Sequence, residues 1–409
     1  MLNLQLHLAL GENRSIAEFK SELEGWNLFG KKSIVQNYRE TPVFINEFWT
    51  SKQRAAHSLH EISYRACFKP QLPNFFITRL TAPGDIVFDP FMGRGTTLLE
   101  AAMLGRNALG NDINPLSRIL VEPRFDPPTI SEIEDRLRQL PLNEPTELPV
   151  GFEVFFEERT LTQICNLRKY LLGRRASCQD DNIDRWVQMV AINRLTGHSK
   201  GFFSVYSLPP NQATSIKRQR RINEQRNQTP DFRDVVALIA RKSRSLLKDM
   251  RDTAPSGKCV GFLQKNVEDE FDYEGPKVRL SVTSPPFMNI VNYKQDNWMR
   301  CWFAGIDTDS INITQTSKLE TWKSLVKNAL LRVAGITLPG GFFAFEVGEI
   351  KKGTLLLEQI VTDVACETPW EPVCIMINKQ VFTKTSNTWG VSNNSGGTNS
   401  NRIVLLKLP

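Results

Sequence analysis

Two short stretches of this chain carry residue types and spacings that could do chemistry. The first is "LSVTSPPFMNIVNY" (280–293), in which Ser284, Pro285, Pro286 and Phe287 close what reads as a buried strand. Proline fixes its own φ and donates no backbone hydrogen bond, so a pair of prolines suits a strand end and hardly any other place in a sheet. A Ser-Pro-Pro-Phe corner therefore holds a hydroxyl, a carbonyl and an aromatic ring rigidly at the mouth of a sheet. The second stretch is "VFDPFMGRGTT" (87–97), which puts Asp89 at a strand's carboxyl end and Gly93 and Gly95 in the turn before a helix. Glycines let backbone approach a ligand closely, and the crevice beyond the strand ends is where open α/β sheets bind ligands. A nicotinamide-dinucleotide fingerprint needs a third glycine, and Leu98 stands in its place. Asp112, in "LGNDIN", ends the next strand; it can hold both hydroxyls of a ribose or cap the turn before Pro115.

The elements that position these residues follow from pattern. "DIVFDP" (85–90) is a short apolar, β-branched run after the turn "APG", and reads as a buried strand. "GTTLLEAAMLG" is a helix stopped at Gly105, and "RNALGNDIN" a second strand, so the three make a βαβ unit. "YRACFKPQLPNFFITRL" predicts a turn and then an amphipathic helix after Pro73. From Pro123 to Gly257 the period is mostly helical, in "SEIEDRLRQL", "TLTQICNLRKYLLG" and "DRWVQMVAINRL", interrupted by "GHSKGFFSVYSLPPNQATS". Strand signals return at 259–264, 278–283, 340–348, 371–378 and 401–408. The expectation is an α/β fold with a mostly parallel sheet and a long helical insertion.

Composition bounds the rest. The chain has 409 residues, 41% hydrophobic and 23% charged, ordinary for a globular protein. No apolar run approaches the roughly 18 residues that span a bilayer, and "MLNLQLHLALGENRS" does not read as a secretory signal, so a cytoplasmic location and no membrane partner are expected. The seven cysteines are scattered without a C-x-x-C pair, and His57 and His60 lack an H-E-x-x-H context; free thiols and no metal site are expected. Lys plus Arg is 51 against 44 acids, a net charge of +7. The excess is concentrated in "IKRQRRINEQR" (216–226) and "ARKSRSLLKDMR" (240–251), which are either solvated helix faces or a surface for phosphates.

"DPFMGRGTTLLEAAMLGRNALGNDINP" together with "TSPPF" closely resembles the amino-methylating DNA methyltransferases, whose motifs look like D-P-F-x-G-x-G-T and (D/N/S)-P-P-(Y/F). The resemblance covers residues from about 66 to 120 and from 259 to 407. It implies a Rossmann-like methyltransferase sheet, mostly parallel with an antiparallel C-terminal strand, and S-adenosyl-L-methionine as cofactor. By that resemblance Asp89, Phe91, Gly93, Gly95 and Thr96 line the methionine and adenosine part of the cofactor, and Asp112 takes the ribose. "FLQKNVED" (262–269) looks like the third cofactor motif with Asn266 where the family has Asp, and "ACFKPQLPNFFI" (66–77) like the motif that closes over the methionine tail. "LPGGFFAFEVGE" and "VFTKTSNTWGVSNNSGGTNSNR" resemble a later sheet motif and a base-flanking loop.

The resemblance gives the Pro-Pro corner a purpose. An aromatic exocyclic amine is a poor nucleophile because its lone pair is delocalised into the ring. Ser284 and the Pro285 carbonyl can accept its N–H bonds, Pro286 stiffens the corner, and Phe287 can stack on a base swung out of the duplex. Transfer to carbon 5 of cytosine would need the Pro-Cys nucleophile of another family, and no Pro-Cys is present. Serine before Pro-Pro leans towards cytosine N4, with adenine N6 as the alternative; RNA methylation and a catalytically inactive DNA-binding protein of the same fold are the other readings. The catalytic half runs to the last residue, so DNA is expected to be read by the insertion, and the expected divisions are 1–65 (N-terminal extension), 66–120 with 257–409 (catalytic) and 121–256 (insertion). Lys217, Arg218, Arg220 and Arg221 in the insertion, and Trp389, Asn394 and Arg402 near the end, are the candidate DNA contacts. Duplex DNA is the expected partner, and a cognate restriction endonuclease acting on the same site is the expected companion.

Overall fold

The computed structural model describes residues 15–49, 56–64, 67–208, 213–286, 293–309, 311, 318–348, 355–379 and 400–409. Nine strands form one sheet: β1 (Ile34–Tyr38), β2 (Thr41–Asn46), β3 (Ile86–Asp89), β4 (Asn107–Asn111), β5 (Cys259–Leu263), β6 (Val278–Thr283), β7 (Thr337–Val347), β8 (Glu371–Lys379) and β9 (Ser400–Lys407). Their order is β1-β2-β8-β9-β7-β6-β3-β4-β5. All pairings from β5 across to β7 are parallel, and β9 runs antiparallel to both β7 and β8. The sheet is thus the Rossmann-like one that the resemblance implies, with its antiparallel C-terminal strand.

Strand alternation sorts the core into two faces. Val87, Ala108, Leu280, Phe342 and Ile403 point to one side, where helices α1 (Ile16–Glu24), α2 (Gln71–Leu80) and α3 (Thr96–Met103) cover them. The helices that follow in the chain are α4 (Pro115–Val121), α5 (Ile130–Gln139), α6 (Glu158–Ala176), α7 (Asn182–Ile192), α8 (Ile216–Arg226), α9 (Val235–Leu246), α10 (Tyr293–Ala304), α11 (Leu319–Ile336) and α12 (Leu357–Ala365). Phe88, Leu109, Phe343 and Val404 point to the other side of the sheet, beneath α11 and α12. This period of two is what a sheet buried on both faces requires. The remaining helices, α4 to α10, share a third core with Leu59, Ile62 and Tyr64.

The structure changes two expectations about organisation. Residues 34–46 do not belong to an extension outside the catalytic fold: β2 pairs in parallel with β8, Phe44 opposite Met376, and prolongs the sheet. The helical insertion, in turn, does not close on itself, because Met299, Cys301 and Phe303 of α10, which follows the Ser-Pro-Pro corner, complete its core.

Candidate active site

Strand order explains where a ligand can sit. From β3 the chain moves outward to β4 and β5, then returns to place β6 on the opposite side of β3. The connections leaving the carboxyl ends of β3 and β6 therefore run to opposite faces of the sheet, to α3 on one and α11 on the other, and such a switch point opens a crevice. Asp89 ends β3, Ser284 follows β6, and a cavity of about 880 Å³, counted to its open mouth, lies beyond them. Its lining includes Asp89, Phe91, Gly93, Thr96, Asp112, Asn266, Ser284 and Pro286, so eight of the eleven residues expected to bind cofactor or act in catalysis are gathered around one space.

Gly95 is not in that lining. Its φ is +72°, and a Cβ there would come within 2.6 Å of Val121 Cγ2, so it lets the start of α3 pack against the end of α4. Leu98, which stands where the dinucleotide fingerprint has glycine, is buried against the next strand, and room for it comes from Gly110, whose Cβ would meet Leu98 Cδ2 at 2.5 Å. The helix and strand achieve close packing with the small residue on the other partner.

The turn is built by hydrogen bonds. Thr283 Oγ1 donates to Asp89 Oδ1 at 2.6 Å and the Phe91 amide donates to the same oxygen at 3.1 Å, which joins β3 to β6 beneath the cavity. Burial nevertheless dominates for Asp89 and pushes its carboxyl up to about 7. Asp112 is also raised by burial, though Gly93 N and Asn114 N donate to it at 2.9 Å each. Asn111 ties the ends of three segments: its Nδ2 donates to the Pro90 and Lys265 carbonyls at 3.1 Å each, and its Oδ1 accepts from Lys265 N at 3.0 Å.

Arg94, inside the glycine turn, holds the segment over the cavity, with Nη1 on the Ile62 carbonyl at 2.9 Å and Nη2 on the Phe68 carbonyl at 3.4 Å. Tyr64, Cys67 and Phe68 of that segment line the cavity. Val267 and Leu325 add apolar wall. A buried and a half-buried carboxylate facing a partly aromatic cavity fit a ligand that joins a cationic end, a ribose and a flat base, which is the makeup of S-adenosylmethionine.

The Ser284 hydroxyl hydrogen-bonds the carboxylate of Glu346, which lies on β7 beside β6. Glu346 is 5% exposed, burial raises its pKa, and Asn401 Nδ2 donates to it at 3.2 Å. Sequence reasoning passed over this residue, yet a signal was present: Glu346 is the lone acid in the apolar run "FFAFEV". Tyr64 and Asn111 were also missed, and they carry no comparable signal.

Pro285 is buried at the corner. Phe287, Trp389 and Asn394 lie outside the described residues. Arg402, expected to contact DNA, is half-buried on β9 and pairs with Glu358 of α12. The second basic run is likewise tied down. Lys242 reaches Glu61 at 3.3 Å, Arg244 reaches Glu134 at 2.5 Å and Arg241 Nη2 the Lys200 carbonyl at 3.3 Å. His60 pairs with Glu100 at 3.0 Å, and among the described residues no group of three His, Cys, Asp or Glu could hold a metal. No helix among them is long and apolar enough to cross a membrane.

The class defined by this fold and site is a Rossmann-like α/β protein with a ligand crevice at the sheet's switch point. Comparison with known proteins carries the assignment further. Residues 14–118, which hold the glycine motif but not the Ser-Pro-Pro corner, match the N6_N4_Mtase family, described as DNA methylase. The type II methyltransferase M.MjaII of Methanocaldococcus jannaschii is 35% identical over 139 residues, 33% of this chain and 26% of its own. M.BsoBI of Geobacillus stearothermophilus is 35% identical over 96 residues, 23% of this chain and 19% of its own. The chain thus spans about a quarter or less of these relatives' length. Among solved structures, TrmN from Thermus thermophilus aligns with 84% of this chain and 50% of its own at 13% identity and a TM-score of 0.33. The rRNA methyltransferase aviRa from Streptomyces viridochromogenes aligns with 86% of this chain and 89% of its own at 11% identity and a TM-score of 0.31. The family match and the type II relatives support the recognition drawn from the two motifs, that of the N4/N6 DNA methylases.

Proposed function

We propose that this protein methylates an exocyclic amine of a base in duplex DNA, with cytosine N4 as its target, using S-adenosylmethionine. The observation that carries the reading is the convergence of Asp89, Asp112 and Ser284 on one cavity at the β3/β6 switch point. When bound there, S-adenosylmethionine supplies an electrophilic methyl group on a cationic sulfur. Asp89 and Asp112 would hold its cationic and ribose parts, with Phe91, Asn266 and Val267 around the adenine.

The chain's own part in the reaction falls to the corner after β6. Ser284 gives its hydroxyl hydrogen to Glu346 and keeps its oxygen lone pairs for an amine N–H; the Pro285 carbonyl is the second acceptor. Two fixed acceptors draw the amine nitrogen away from conjugation with the ring and aim its lone pair. Preorganised dipoles of this kind contribute about 3 kcal/mol to transition-state stabilisation. Methylation leaves a proton to be removed from the nitrogen, and Ser284 with Glu346 offers it a buried carboxylate one hydroxyl away. Preference for cytosine N4 rests on serine before Pro-Pro, and the type II names of the relatives favour a role beside a restriction endonuclease of the same site.

Tritium transfer from labelled S-adenosylmethionine tests the substrate class. Label entering duplex DNA but not RNA is the expected result; label in RNA alone would replace the DNA reading, and label in neither would favour a DNA-binding module without catalysis.

A further inference from the structure

Helix α8 has almost nothing apolar to bury, and Gln219 is its one buried residue. Amides hold it to the protein: Gln219 Nε2 donates to the Tyr206 carbonyl at 3.0 Å and Asn223 Nδ2 to the Val154 carbonyl at 2.7 Å. Arg226 lies 3.8 Å over the Tyr206 ring, and Ile216 fills the space above Gly151, where a Cβ would meet it at 2.7 Å. With its inner face fixed in this way, Lys217, Arg218, Arg220 and Arg221 are all exposed on the outer one.

The outer face sets four cations against one exposed acid of the helix, Glu224, with which none of them forms an ion pair among the described residues. Lys217 with Arg220 and Arg221, and Arg218 with Arg221, are like charges three or four residues apart, which repel on a helix. Lys217 and Arg218 also occupy the first turn, which holds no acid and where the helix dipole disfavours cations. Among the described residues none of these four side chains has a carboxylate within ion-pair distance. The contrast is α9, where Lys242 and Arg244 are paired to Glu61 and Glu134, Arg241 donates to the Lys200 carbonyl, and the other face is packed into the core. A polyanion on α8 would relieve each of these repulsions; on α9 it would have to compete with existing pairs.

α8 is also fixed relative to the catalytic corner. Ala213 N donates to the Asp296 carbonyl at 3.1 Å and Trp298 Nε1 to the Thr214 carbonyl at 3.2 Å, so the segment entering α8 is stapled to α10, the helix that follows Ser-Pro-Pro in the chain. We infer that α8 is the docking face for the phosphate backbone of duplex DNA, where Lys217, Arg218, Arg220 and Arg221 set the position of the duplex without reading its sequence. This inference rests on the proposed DNA methyltransferase function.

The test is the salt dependence of binding to a mixed-sequence duplex, measured with the full chain and with the variant carrying Lys217→Gln, Arg218→Gln, Arg220→Gln and Arg221→Gln. Four phosphate contacts correspond to a slope change of about 3.6 in log K against log salt, so between about 50 and 200 mM salt the wild type should lose about a hundredfold more affinity than the variant. Unchanged thermal melting of the variant would show that α8 remains folded, and Arg244→Gln on α9 should leave the slope as it is. A wild type that binds duplex while the α8 variant keeps its slope overturns this inference alone. A wild type that does not bind duplex overturns the DNA reading as well. Loss of structured-RNA binding with an unchanged DNA slope assigns the face to RNA instead.

Discussion

The exchange between Ser284 and Glu346 decides what the corner can do. Serine alone is an indifferent acceptor, because its hydroxyl hydrogen can turn towards the substrate. A hydrogen bond to a buried carboxylate fixes that hydrogen and leaves the oxygen lone pairs free to accept. Ser284→Ala should keep S-adenosylmethionine affinity in calorimetry while slowing transfer at least tenfold, about 1.4 kcal/mol. Glu346→Gln should lower kcat and remove its acid limb. The sign follows from burial: the raised pKa means that Glu346 gains its proton as pH falls while still above the ordinary glutamate range, and a protonated Glu346 can neither hold the serine hydrogen nor accept the amine's. A Ser284→Ala enzyme at full speed, or a Glu346→Gln enzyme with an unshifted kcat profile, would take the respective residue out of the mechanism. Asp89 and Ser284 were legible in sequence because each stands directly before a proline, and Asp112 because it ends an apolar run two residues after Gly110. Glu346 was less so, since its role depends on a strand partner more than 60 residues away.

Elements were legible where local pattern and tertiary placement agree. β3, α3 and β4 fall where apolar runs and glycine stops put them, and the strands at 259–263 and 278–283 coincide with their signals. β1 and β2 did not announce themselves. The buried run of β2 includes Pro42, β1 is exposed along most of its length, and the pairing that makes β2 a sheet strand is with β8 at the far end of the chain. The glycine turn shows the complementary case, in which an element boundary has a packing cause hidden from sequence. Gly95 was read as ligand-facing, whereas its left-handed φ and the proximity of Val121 make it a joint between α3 and α4. Gly95→Ala should lower stability by about 1–3 kcal/mol in chemical denaturation through the strained φ alone, and more through the clash. Adding Val121→Ala should recover the steric part and leave the φ cost. A Gly95→Ala protein as stable as the wild type would contradict this account of the turn.

Across the whole molecule, charge and topology divide the work. In the proposed function the sheet's switch point holds the cofactor, the corner after β6 offers acceptors at its edge, and of the two basic runs the one on α8 is unpaired among the described residues while Lys242 and Arg244 on α9 are paired. Net charge of +7 pointed only weakly to nucleic acid. Two basic runs looked equivalent in sequence because ion pairing with Glu61 and Glu134 is a tertiary fact. The claim that binds these parts together is that the protein methylates an exocyclic amine in DNA. The most direct test is mass spectrometry of nucleosides from the DNA of a methylation-free host expressing the chain. N4-methylcytosine is the result this account predicts; N6-methyladenine would keep the mechanism and overturn the base, and the absence of both from a host making folded, cofactor-binding protein would contradict the central claim.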